Sequence, residues 1–297
     1  MFKNLIPYRL TRFDLSPAEL EKALSDKALQ PLTGLEIQKS GWVRPKTGDE
    51  SFLHQSGSHL LFSLGTEKKI LPAAVIKNVT NARVREIEAQ QGYKVGRKQL
   101  RQIKEAVTDE LIPRAFSVRS HVSVWIDPVG KWLVIDASGV SKADEVVTVL
   151  LNSTDKINFE LIHTSVSPSV AMTDWLSGEE LPSVFTLDDS CEMRAPSEGV
   201  AKIKYSGLAP DADEARKHVE SGKMTIQQAM TWDGKISFVL TEALHIKKVK
   251  PLDILTEGVD PDMDEFDSNF VLMSGEVPKF LADVVVVLGG LEEAQAA

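Results

Sequence analysis

GRKQLRQIKEAVTDELIP, residues 96–113, decides how the chain is divided. A glycine opens the stretch, a proline closes it, and neither residue occurs between them. Leu100, Ile103, Val107 and Leu111 recur at steps of three and four, which predicts a helix from about 97 to 112 that Pro113 stops. At about 100° per residue, Arg97, Arg101 and Lys104 fall within a narrow arc with Lys98 at its edge, roughly a quarter-turn from the apolar stripe. Upstream, Pro72 suits the first turn of another helix, with Val75, Val79, Ala82 and Glu86 on one side, and Gly92 and Gly96 break the two apart. Two helices around a glycine break form a helical hairpin. This hairpin projects from the rest of the chain if its apolar faces pack mainly on each other.

The flanks are β-rich. Residues 2–10 read as a strand in which Pro7 marks an edge or a bulge. Ser16 with Glu19 is a capping box before Leu20, Ala23 and Leu24, so a helix is expected over 16–27. Gly41-Trp42-Val43 and His59–Leu64 follow as strands, and Phe116–Ile126 and Trp132–Ala137 flank turn chemistry at Asp127-Pro128-Val129-Gly130. A helix is expected at 141–151. The region 155–200 is mixed and acidic. Val200–Tyr205 reads as a strand, Ala212–Glu220 as a helix, and Met224–Trp232 with Lys235–Leu244 as a hairpin turning at Asp233-Gly234. Asn269–Met273 looks like a strand, Val277–Leu288 like a closing helix, and Asp260–Asp267 like a solvated loop. The fold expected is α+β: an antiparallel, β-rich body with a projecting helical hairpin. The units expected are residues 1–71 with 114–200, residues 72–113, and residues 201–297.

The formal net charge of −9 argues against nucleic acid, but the charge is segregated. Residues 68–131 carry 13 basic and 6 acidic side chains and residues 202–250 carry 9 and 6, whereas 132–201 carry 3 and 12 and 251–297 carry 1 and 11. Local potential governs phosphate attraction, so two basic blocks suffice even in an acidic chain. Cys191 is the single cysteine, which excludes an internal disulfide. Met1-Phe2-Lys3-Asn4 leads into a mixed segment, and the longest apolar run, Val284–Leu288, is far below the roughly 20 residues of a membrane span. A cytoplasmic protein is expected.

Catalytic motifs fail one by one. Gly222-Lys223-Met224-Thr225 lacks the first glycine of a phosphate loop and carries an extra residue before its threonine. Asp260-x-Asp262-x-Asp264 begins like a calcium loop, but Glu265 stands where the turn needs glycine and Val271 where the bidentate Glu belongs. The six histidines show no i, i+4 pair. Asp49 with Glu67-x-Lys69 matches a loose nuclease pattern that holds a metal and activates water. So short a motif also arises wherever charge solubilises a strand end. No cofactor and no catalytic residue is expected.

The binding candidates are cations. Arg97, Lys98, Arg101 and Lys104 present long side chains along one helix, as phosphate contact requires. Arg101 with Glu105 also fits simple helix self-stabilisation. Pro113-Arg114-Ala115-Phe116-Ser117, with Arg119 following, sets a cation and an aromatic just past the helix stop. Lys202-Ile203-Lys204 puts two lysines on one strand face, and Lys247, Lys248 and Lys250 form a weaker patch. With Lys77, the candidate DNA contacts are Lys77, Arg97, Lys98, Arg101, Lys104, Arg114, Arg119, Lys202 and Lys204.

Phe2-Lys3-Asn4-Leu5 with Tyr8-Arg9-Leu10, Gly41-Trp42-Val43, and Lys69-Ile70-Leu71-Pro72 with Val75-Ile76-Lys77 stand in the order of known landmarks. Leu111–Ser117, Trp125-Ile126-Asp127, Glu220-Ser221-Gly222-Lys223 and Phe270–Glu276 continue them. On these the chain resembles the RdgC recombination-associated proteins, while residues 140–200 match poorly. The resemblance implies a bacterial, nucleoid-associated protein that binds double-stranded DNA, and also single strands, with little sequence preference and opposes RecA-driven recombination. It further implies a curved protomer, two of which close a ring with a basic inner surface. Arg114 and Phe116 then lie where the helical projections meet in the homodimer, and Lys202 and Lys204 lie near the DNA path. Tyr205 and Ser206 depart from the family pattern, and the hairpin between Val75 and Leu111 is shorter. Two other readings stay open: an inhibitor that docks on a recombinase through acidic residues 251–297, and a metal nuclease.

Overall fold

Ser16 opens the first helix as its sequence implies: its hydroxyl accepts from the Glu19 N–H at 3.3 Å, and the Glu19 carboxylate accepts from the Ser16 N–H at 2.9 Å. The helix, α1 (Pro17–Asp26), buries Leu20 and Leu24 against a sheet. The computed structural model describes residues 2–195, 201–207, 210–256 and 264–292. That first sheet contains β1 (Ile6–Phe13), β2 (Gln38–Val43), β3 (His54–Ser56), β4 (His59–Lys69), β5 (Ser117–Asp127), β6 (Trp132–Ile135) and β7 (Ile157–Leu161). Its order is β2-β4-β5-β6-β1-β7, with β3 beside β4, and all its pairings are antiparallel.

Both faces of this sheet are covered, which explains apolar runs such as Val124-Trp125-Ile126 where alternation would otherwise be expected. Leu60, Phe62, Leu64, Val124, Ile126, Leu133 and Ile135 share one core with α1 and with α4 (Val140–Ser153). Leu61, Trp125, Trp132 and Val134 belong to a second core on the opposite face.

The second core is shared with a five-stranded antiparallel sheet. Its members are β8 (Phe185–Arg194), β9 (Lys202–Ser206), β10 (Met224–Trp232), β11 (Ile236–Thr241) and β12 (Ile246–Pro251), in the order β12-β11-β10-β8-β9. Residues on both sides of position 200 contribute to it, since β8 pairs with β9 and β10. Asp233 and Gly234 turn β10 into β11 with φ of +48° and +62°, and the Lys235 N–H closes the turn on the Trp232 carbonyl at 2.8 Å. Val200, expected to open β9, lies outside the described residues.

Four helices complete the architecture after β7 and around this sheet: α5 (Pro168–Leu176), α6 (Ala212–Glu220), α7 (Asp253–Thr256) and α8 (Glu265–Val287). The strand expected at Asn269–Met273 is helical, because Phe270, Met273, Val277, Phe280, Leu281 and Val284 repeat at helical spacing and are buried together. Asp264 caps α8 by accepting from the Phe266 N–H at 2.9 Å, so the acidic stretch expected as loop enters the helix from Glu265 on. Its members Asp260 and Asp262 lie outside the described residues.

Pro7 has a specific place. Leu5 exchanges backbone hydrogen bonds with Ile246 of β12, while β7 begins pairing only at Tyr8, opposite Leu161. Pro7 falls between these partners on the same edge of β1, so its missing N–H costs no ladder bond. β1 is thus interior to the sheet and regular at Pro7, so the proline marks neither an edge nor a bulge, and the register shift of β1 lies further on, between Leu10 and Arg12.

The free edge of β2 is covered by residues 27–29: Trp42 N–H donates to the Lys27 carbonyl at 3.0 Å, and Leu29 N–H to the Trp42 carbonyl at 2.9 Å. A Cβ on Gly41 would stand 2.6 Å from the Leu29 N and Cα atoms. Gly41→Ala is therefore expected to destabilise the protein by about 1–3 kcal/mol, read as a lowered denaturation midpoint in urea. An unchanged midpoint would mean the covering segment moves aside at no cost.

Candidate nucleic-acid interface

Two helices lie between β4 and β5. In the first, α2 (Ala73–Gln91), the chain leaves the helix at Gly92, whose φ of +77° and N–H bond to the Glu88 carbonyl suit glycine. The second, α3 (Arg97–Leu111), packs against it: Arg83 donates to Glu110 at 3.1 Å, and the Glu88 carboxylate accepts from the Val95 N–H at 2.9 Å. The expected apolar stripe of α3 is half realised. Ile103 and Val107 are buried and Leu111 is half-buried, but Leu100 is 43% exposed. On α2 the inward face differs from that expected: Thr80 is buried with Ile76, Val84 and Ile87 partly so, while Val75, Ala82 and Glu86 are exposed. The helix pair therefore buries little of its own surface.

Arg97, Lys98, Arg101 and Lys104 are all exposed on α3, and Lys77 is exposed on α2. Arg101 pairs with Glu105 at 2.9 Å, which holds its guanidinium proton more firmly still. Arg97, Lys98, Lys104 and Lys77 pair with no carboxylate among the described residues. A single 3-10 turn, Ile112–Arg114, ends α3 and leaves Arg114 exposed, likewise without a carboxylate. Phe116 follows with 85% of its surface exposed. Its backbone is fixed, since its carbonyl accepts from the Ile70 N–H at 2.7 Å, so the ring stands out from an ordered strand end. Ile70, Val118 and Ile37 are also exposed, which makes this end of the sheet unusually apolar.

Arg119 is committed elsewhere. The register sets it opposite Glu67, whose Oε2 accepts from Arg119 Nε at 3.0 Å while Oε1 accepts from the Ser117 hydroxyl at 2.7 Å. The Ser117 hydrogen bond, with Arg119 behind it, holds the buried Glu67 carboxyl below the usual carboxylate range against the cost of desolvation. Lys69 donates to the Ala115 carbonyl at 3.1 Å. Glu67 and Lys69 thus serve the sheet end, with each oxygen of Glu67 hydrogen-bonded within it. Among the described residues no group of three or more His, Cys, Asp or Glu side chains is placed to hold a metal ion.

Lys202 and Lys204 point outward from β9, an edge strand. Lys202 pairs with Glu192 at 3.0 Å, and Lys204 pairs with no carboxylate among the described residues. Beside them the Tyr205 hydroxyl donates to Glu214 at 2.7 Å and lies 2.8 Å from His218 Nε2; burial and that carboxylate push the phenol up to about 12. The candidates thus fall into three groups: the helix pair, the segment 114–119, and β9. Lys68, the penultimate residue of β4, is exposed as well and lies outside these groups, although the doublet Lys68-Lys69 before Pro72 is plain in the sequence.

No helix among the described residues is long and apolar enough to cross a membrane. The family model described as "Putative exonuclease, RdgC" matches residues 1–291. The chain is 48% identical over 294 residues to the recombination-associated protein RdgC of Janthinobacterium sp. (strain Marseille), covering 97% of this chain and 98% of that one. It is 46% identical to the protein of that name from Burkholderia orbicola (strain MC0-3), covering 97% and 95%, and 45% identical to that of Bordetella pertussis, covering 97% and 98%.

Proposed function

The chain belongs to the RdgC family of recombination-associated proteins, and from that premise we propose that it binds the backbone of double-stranded DNA without catalysing a reaction on it. The observation that carries this reading is the row of exposed cations on α3, where Arg97, Lys98 and Lys104 have no carboxylate partner among the described residues. Phosphate contacts need several long cations on one surface and no base-reading group, and they fix position without reading sequence. Two protomers close a ring, with the α2–α3 pair as the projection (residues 72–113) and Arg114 and Phe116 as the contact between projections. An aromatic ring left 85% exposed on a fixed backbone is the kind of group that a partner surface covers. A ring that carries its cations inward reconciles a net charge of −9 with a polyanionic ligand. Bound to the nucleoid in this way, the protein obstructs RecA-driven strand exchange by occupying duplex.

The reading is tested by competition among duplexes of equal length and unrelated sequence, in magnesium buffer, with the DNA recovered afterwards. Affinities within about threefold of one another and full-length DNA are expected, since mismatched bases would each cost a sequence reader about 1–3 kcal/mol. A strong preference for one sequence, or shortened strands, would overturn it.

A further inference from the structure

A cleft of about 620 Å³ opens on the α4-facing side of the first sheet, next to the strand end that carries Phe116. Its floor is built from two neighbouring rows across β2, β4 and β5: Gln38–Lys68–Val118 and Ser40–Thr66–Ser120. One wall is the first turns of α4, with Ser141, Lys142 and Glu145, and the other is the segment from Lys69 to Pro72 that leads into α2.

The charges in this cleft do not cancel. Glu145 is the carboxylate that lines it, and that group is already saturated. Its Oε1 accepts from Ser40, from Thr66 at 3.1 Å and from Gln38 at 3.3 Å, and its Oε2 takes Lys142 at 2.8 Å. Lys68, at the centre of its row, has only Gln38 and Val118 as cross-strand neighbours and pairs with no carboxylate among the described residues. Ser120 and Ser141 add exposed hydroxyls. The first turn of α4 has no acidic residue, and Gly139 gives it no side-chain cap, so its leading N–H groups add to the positive potential. Lys68 and Lys142 against a single, fully occupied carboxylate leave the cleft cationic, with hydroxyl donors at hand, while Lys69 lines it but sends its ammonium to the Ala115 carbonyl.

We propose that this cleft is an anion site that takes a phosphate group, with Lys68 as its principal cation. The proposal leans on the DNA-binding reading only for the source of that phosphate: a backbone phosphodiester or a free phosphorylated small molecule. The test uses the full-length protein, with amide NMR signals of Ser141 and Lys142 followed while inorganic phosphate replaces chloride at constant ionic strength. Saturable shifts in the wild type that Lys68→Gln removes are expected. Absence of shifts, or equal shifts in the variant, overturns the anion site.

A duplex titration then identifies the source. If DNA moves the same signals and Lys68→Gln weakens duplex binding about three- to tenfold with a salt slope smaller by about one, the phosphate is DNA's. If phosphate saturates the site while duplex binding ignores Lys68, the site stands and its ligand is a small molecule. Wild type that binds no duplex at all would remove the DNA-binding reading and leave the phosphate result to stand or fall by itself.

Discussion

Replacing Arg97, Arg101 and Lys104 together by glutamate is expected to lower affinity for duplex DNA by about 100- to 1,000-fold near 0.1 M salt. Each change converts an attraction for phosphate into a repulsion, and the proposed dimer would meet each of them twice. The helix itself should survive. All three side chains are exposed, while Ile103 and Val107, which anchor α3, are untouched. Only the exposed Arg101–Glu105 pair is lost, worth a few tenths of a kcal/mol. Fluorescence anisotropy at fixed ionic strength measures the first effect, and a thermal melt followed by circular dichroism checks the second. Affinity within twofold of wild type, in a variant that melts normally, would move the DNA path off α3.

The largest effect on stability is expected from Phe280→Ala. Phe280 is fully buried on α8, with its ring centroid 4.7 Å from Phe238 and 5.5 Å from Trp232. Deleting a phenyl ring from such a site removes its transfer free energy and leaves a cavity that neighbours fill only in part, a loss of about 3–5 kcal/mol. The same core holds Leu61, Trp125 and Trp132 of the first sheet as well as β10, β11 and β12 residues. Chemical denaturation should therefore show one transition at a lower midpoint. Two separated transitions would mean that the sheets do not depend on their shared core.

What the sequence disclosed was mostly local. The Ser16–Glu19 box and the Asp233-Gly234 turn carry their geometry within four residues, and both appear in the structure. The strand expected at Asn269–Met273 and the closing helix expected at Val277–Leu288 are one helix, α8, because the apolar repeat runs straight through Gly275 and Pro278. The inward face of α2 was misjudged for a similar reason: Val75 is apolar yet exposed, and the polar Thr80 is the residue buried.

The candidate site divides in the same way. That cations cluster in residues 68–131 is a matter of counting. Which of them are free is a matter of register. Arg119 is tied to a glutamate 52 residues away because β4 and β5 pair in one alignment, and Lys202 is tied to Glu192 across the β8–β9 edge. A shift of one residue in either ladder would have exchanged paired cations for unpaired ones. Phe116 was legible as an aromatic beside arginines, but its full exposure was not.

Backbone binding by unpaired cations makes one quantity decisive: the slope of log Kobs against log salt for a blunt linear duplex. Each neutralised phosphate contributes about −0.9 to that slope. Lys77, Arg97, Lys98, Lys104, Arg114 and Lys204 are exposed and pair with no carboxylate among the described residues. A slope steeper than about −3, alike for unrelated duplex sequences, is therefore expected. Binding that hardly changes between low and physiological salt would contradict recognition through the phosphate backbone.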